Sequence, residues 1–96
     1  MLKKIYSITD SAGLHARPSS LLVKTVTPFE SDVILEYAGR QINLKSIIAV
    51  MSLGIPNEAT IKIIANGSDA EKVIAHIDGV MEKENIGIWR QAQISK

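Results

Sequence analysis

The sequence contains no cysteine. Without thiols there is neither a disulfide framework nor a thiolate metal site, which fits a reducing compartment. No stretch approaches the roughly 18 apolar residues that a membrane helix needs, so membrane insertion is not expected. Aromatic residues make up only 4% of the chain, and 11 basic against 10 acidic side chains leave a formal net charge of +1. A chain so close to neutral has no broad basic field and no basic-aromatic ladder on its strands, so no nucleic-acid partner is expected and any partner must be recognised through a local patch. The N-terminal stretch MLKKIYSITD has two lysines but no apolar segment or small-residue cleavage site behind them, and the expected location is therefore the cytoplasm. The acidic residues show no metal-ligand spacing and no glycine-rich nucleotide loop is present, so neither metal nor cofactor is expected.

What remains is an ordinary apolar fraction of 46% in 96 residues, enough for one core and one domain. Residues 4–9 alternate as a half-buried strand with Tyr6 and Ile8 on one face. The spacing of Leu21, Leu22, Thr25 and Val26 predicts a helix from Ala16 to about Thr27, stopped by Pro28, with Phe29 extending its apolar side. DVILEY and RQINL flank an Ala38-Gly39 turn and read as a hairpin, with Val33, Leu35, Ile42 and Leu44 on matching faces. Ser46 can cap a short helix, Ile47 to Leu53, that Gly54 terminates and Pro56 keeps from resuming. Ile61, Ile63 and Ala65 define a further strand. Ser68 and Glu71 have capping-box spacing before a last helix whose apolar stripe is Ala70, Val73, Ile74, Ile77 and Met81. Its polar face carries Glu71, Lys72, His76 and Asp78, with His76 read as a plain surface histidine. The order β-α-β-β-α-β-α predicts an α+β open-faced sandwich with three helices on one sheet face. Residues 86–96, IGIWRQAQISK, show no clear period. They read either as a frayed tail or as a segment that packs Trp89 on the domain.

The chemistry concentrates in GLHARPSS, residues 13–20. With His15 as N-cap and Ala16 as the first helical residue, Pro18 falls third, where no intrahelical N–H bond is lost. The free N–H groups of Ala16 and Arg17, the helix dipole and the Arg17 guanidinium would all receive a dianion on His15. Imidazole is a nucleophile that can take a phosphoryl group on a ring nitrogen. Gly13 lets the chain turn with positive φ, and Leu14 anchors the loop. Ser19 and Ser20 stand where they could extend a phosphate site.

GLHARPSSLL resembles the active-site signature of the histidine-containing phosphocarrier (HPr) family of the phosphoenolpyruvate:sugar phosphotransferase system. NLKSIIAVMSLGI, residues 43–55, is similar to that family's second signature. The resemblance covers residues 1–85 as a phosphocarrier domain and leaves 86–96 as a C-terminal extension of uncertain structure. It implies a four-stranded antiparallel sheet in the order 1-4-2-3, phosphorylation of His15 at Nδ1 by enzyme I, transfer to the A domains of sugar-specific enzymes II, and assistance by Arg17. Such a protein is a monomeric covalent intermediate rather than an enzyme.

The helix after Ser46 is apolar nearly all round yet too short to be buried on every side. Part of it, with Ile47, Ile48 and Met51 joined by Ser20, is expected to dock partners. The resemblance gives Ser46 a second role, because in Gram-positive members an HPr serine kinase/phosphorylase modifies the serine at this position and creates a binder for a catabolite-control transcription factor. Ile48 stands where such members usually have methionine, and Ala49 where they often have glycine. An alternative of the same fold is a regulatory binding module that acts through Ser46 and the apolar patch.

Overall fold

Alternation decides which side of each strand is buried. Tyr6 and Ile8 of β1 (Leu2–Ile8), Val33 and Leu35 of β2 (Asp32–Tyr37), and Ile61, Ile63 and Ala65 of β4 (Thr60–Asn66) are all buried, while Ile34, Lys62 and Ile64 between them are only half-buried. The computed structural model that shows this describes residues 1–94, with side chains described through residue 90. β3 (Arg40–Asn43) completes the hairpin with β2. Ala38 and Gly39, at φ +52° and +79°, form the predicted two-residue turn, in the left-handed conformation that suits the twist of the flanking strands.

The helices supply the other half of the core. Leu22 and Val26 from α1 (Ala16–Val26), Val50 from α2 (Ile47–Ser52), and Val73, Ile77 and Met81 from α3 (Ala70–Lys83) join the strand residues in one buried cluster. Truncating one of these, such as Leu22, to alanine is expected to cost about 2–5 kcal/mol. One polar group is built into the same layer. The Tyr6 hydroxyl donates to Asp78 at 2.6 Å and Lys4 pairs with the same carboxylate, which fixes β1 to α3. Burial, and then the Asp78 carboxylate, pushes the Tyr6 phenol well above its usual range.

Two expectations require correction. The sheet has five strands, in the order β3-β2-β4-β1-β5, with every neighbouring pair antiparallel. The implied order 1-4-2-3 is present within it, and β5 (Gly87–Ile94) adds a strand outside β1. Residues 87–94 are thus sheet rather than a frayed tail, and residues 95–96 of the extension lie outside the described residues. The period is unreadable there because the pairing shifts: Tyr6 faces Trp89 while Ile5 faces Gln91, so Arg90 is an extra residue on the outer strand. Trp89 stays 56% exposed, with its ring 4.9 Å from the Lys4 ammonium.

The second correction concerns the start of α3. Its N-cap is Asp69, not Ser68, and the Asp69 side chain makes no capping bond to the helix. That carboxylate instead accepts the N–H groups of Glu30 and Ser31 and the Ser31 hydroxyl, so it pins the loop between α1 and β2. The Ser31 hydroxyl, then the two amides, hold the Asp69 carboxyl below the usual carboxylate range.

Candidate functional site

The loop from Thr9 to His15 is held at almost every backbone position. Thr9 and Asp10 N–H both donate to the Ile86 carbonyl, at 3.0 and 3.3 Å. Gly13 N–H donates to the Asp10 carbonyl at 2.9 Å, and Asn57 Nδ2 donates to the same oxygen at 3.1 Å. Leu14 N–H donates to the Ile55 carbonyl at 2.9 Å, and the Leu14 side chain is buried in the core. Gly13 is required here. Its φ is +73°, and a Cβ at this position would lie 2.3 Å from the Ile55 carbonyl oxygen.

His15 follows as the N-cap of α1, in an extended conformation at φ −76° and ψ −171°, with no side-chain capping bond. Its side chain is 43% exposed. Ser19 N–H closes the first turn on the His15 carbonyl at 3.1 Å, and Pro18 has no N–H, so the amides of Ala16 and Arg17 have no acceptor among the described residues. Two amides without acceptors among the described residues thus adjoin an exposed imidazole. His15 Nε2 lies 3.4 Å from Asp10 Oδ1, while Nδ1 has no hydrogen-bond partner among the described residues.

Arg17 occupies a different position from the expected one. Its guanidinium Nη2 pairs with Glu84 Oε1 at 2.9 Å, across to the C-cap of α3, and is 66% exposed. Ser19 is turned away from any phosphate site, because it is fully buried and its hydroxyl donates to the Leu14 carbonyl at 2.9 Å. Ser20 is exposed.

α2 divides as its composition requires. Val50 and Leu53 are buried, whereas Ile47, Ile48 and Met51 are 39%, 80% and 42% exposed. Ser46 caps this helix, its Oγ accepting the Ala49 N–H at 3.2 Å. The far end of α2 leads into the Ile55 carbonyl that supports Leu14, so Ser46 and the His15 loop lie at opposite ends of a helix about 9 Å long.

Two residues of this site are not evident from motif reading. Asp10 sits inside DSAG, which reads only as a strand break. Its Oδ1 accepts the Ala12 N–H at 2.9 Å, and that bond, then His15 and Arg17, lowers its carboxyl below the usual range. The Asp-x-Ala spacing of an Asx turn was the available signal. Glu84 carries no local signal, because its partner lies 67 residues away.

Comparison with known proteins places the chain in a family. The family described as the PTS HPr component phosphorylation site matches residues 2–83, so β5 begins beyond the match. The histidine-containing phosphocarrier protein of a Mycoplasma is 39% identical, with 88% of this chain and 97% of that one covered and a TM-score of 0.86. HPr from Thermoanaerobacter tengcongensis is 34% identical over 88% of this chain and 94% of that one, with a TM-score of 0.83. Crh, a Bacillus subtilis catabolite repression protein described as a swapped dimer, is 34% identical over 80% and 87%, with a TM-score of 0.66.

Proposed function

The chain belongs to the HPr family, the phosphocarriers of the phosphotransferase system, and on that premise we propose that His15 accepts a phosphoryl group from enzyme I at Nδ1 and passes it to the A domains of sugar-specific enzymes II. The supporting observation is the first turn of α1, where an exposed imidazole adjoins two amides without acceptors. Those amides and the helix dipole stabilise the dianion that the ring acquires. Arg17 assists by exchanging the Glu84 carboxylate for phosphoryl oxygens, since its forked donors fit either group. The chain is a covalent intermediate and supplies no catalysis of its own. In this reading it works in the cytoplasm as a monomer.

Partners dock on Ser20 and the exposed Ile47, Ile48 and Met51, with Met adapting to more than one of them. Ser46 is the regulatory site of the same reading, modified by a serine kinase/phosphorylase and then recognised by a catabolite-control transcription factor. Added charge at the end of α2 would act on docking rather than on the imidazole, which lies beyond the other end of that helix. Likeness to Crh favours one alternative, a regulatory module working through Ser46 and the patch.

Reconstituted transfer separates the two. With phosphoenolpyruvate, magnesium, enzyme I and an enzyme II A domain, the chain should be required for phosphorylation of the A domain, and His15→Ala should abolish it. A chain that binds the regulator but never supports transfer would establish the alternative.

A further inference from the structure

Asp10 approaches the His15 ring and is left without a role by the proposed transfer. Its N–H, its carbonyl and one carboxylate oxygen are all engaged, with Ile86, with Gly13 and Asn57, and with Ala12. The same Oδ1 that accepts the Ala12 N–H lies 3.4 Å from His15 Nε2. Contacts between catalytic groups are often this long before a reaction partner arrives and shorten in the complex.

We propose that Asp10 is a positioning residue that holds the neutral His15 ring as its Nε2–H tautomer and so presents the Nδ1 lone pair to the phosphoryl donor. This rests on His15 being the acceptor. An ionised carboxylate can only accept hydrogen bonds, so a ring nitrogen facing it must carry the proton. The other nitrogen is then the nucleophile. In the transfer, the Nδ1 lone pair forms the new N–P bond while the donor's bond to phosphorus breaks, and that electron pair stays on the donor. No proton leaves the His15 ring. The product ring keeps Nε2–H and gains positive charge, which the Asp10 carboxylate faces and stabilises.

The charged groups around this ring act in consistent directions. Asp10 faces Nε2, and the Arg17 guanidinium near Asp10 is itself held by Glu84. Asp10 is fixed from outside its own loop as well, because the Ile86 carbonyl that receives its N–H immediately precedes β5.

The test is the tautomer itself, read by long-range proton–nitrogen correlation on the unphosphorylated chain at a pH well above the usual imidazole titration range. Wild type should show Nε2–H almost exclusively. Asp10→Asn retains Oδ1 as an acceptor for both the Ala12 N–H and the ring, so it should keep the Nε2–H tautomer while losing the charge that faces the product ring. Transfer from enzyme I should then slow about tenfold at saturation, with the half-saturating concentration changed by less than about twofold. Asp10→Ala, which removes the acceptor that faces Nε2, should move its ring towards the mixture seen in free imidazole. Equal tautomer populations in wild type and Asp10→Ala would overturn the proposal. Failure of every variant, wild type included, to accept a phosphoryl would instead count against His15 as acceptor, while the tautomer measurement would still decide the role of Asp10.

Discussion

Arg17 and Glu84 meet at 2.9 Å between the first turn of α1 and the C-cap of α3. The pair is largely in water, so it contributes little to stability. Its consequence is competition, because a guanidinium occupied by a carboxylate must leave it to reach a phosphoryl. Glu84→Gln should therefore accept a phosphoryl from enzyme I faster than wild type, with a melting temperature within about 3 °C of it. Transfer kinetics and thermal unfolding check both, and a slower variant would show that Glu84 aims Arg17 rather than restrains it.

Arg17→Glu should behave in the opposite way. It places like charge against Glu84 and beside the incoming dianion, so both receipt and donation of the phosphoryl should slow by tenfold or more, roughly the loss of one charge-assisted contact. Rates unchanged in both directions would mean that the Ala16 and Arg17 amides suffice.

Ser46 separates capping from charge. Ser46→Ala loses the bond from the Ala49 N–H and should cost about 1 kcal/mol. Ser46→Asp remains a good cap and should melt within about 3 °C of wild type. Its half-saturating concentration for enzyme I should rise several-fold, because the new charge beside Ile47 and Ile48 must be desolvated on docking, while the saturated rate changes less. A matched loss of both parameters would contradict the docking argument.

Ala38 holds a left-handed conformation that residues other than Gly, Asn and Asp rarely adopt. Ala38→Asn should relieve this and stabilise the hairpin by about 0.5–1 kcal/mol, seen as a rise of a few degrees in the melting temperature. No rise would indicate that the turn rearranges.

Asp69 gives acid sensitivity a defined sign. Its carboxyl is depressed in the folded chain by the Ser31 hydroxyl and the amides of Glu30 and Ser31, so its stabilisation is fully present above the unfolded value, near pH 4, and is lost as pH falls below it. Melting curves from pH 5 down to about 2.5 should fall more steeply for wild type than for Asp69→Asn. Parallel curves would contradict that assignment.

Much of this was legible in the sequence, and the exceptions share a cause. Tyr6, Val33, Leu35, Ile61 and Ile63 declared their burial by simple alternation, and Pro18 after a histidine declared the start of α1. β5 did not, because an edge strand buries little and the extra Arg90 breaks its period. Ser68 and Glu71 gave a valid capping pattern, yet Asp69 caps in their place while its carboxylate binds a loop 38 residues away. The cradle at His15, Ala16 and Arg17 was readable as local helix-start chemistry. Glu84 gains meaning only when the chain is folded, and the sequence offers for Asp10 only its Asx-turn spacing, not its approach to His15.

The most direct measurement is the position of the phosphoryl on the chain. After incubation with phosphoenolpyruvate, magnesium and enzyme I, phosphorus–nitrogen coupling should place a single acid-labile, alkali-stable phosphoryl on Nδ1 of His15, with Nε2 still protonated and no label on His15→Ala. A phosphoryl on Nε2, on His76 or on a serine, or none in the wild-type chain, would contradict His15 Nδ1 as the carrier atom.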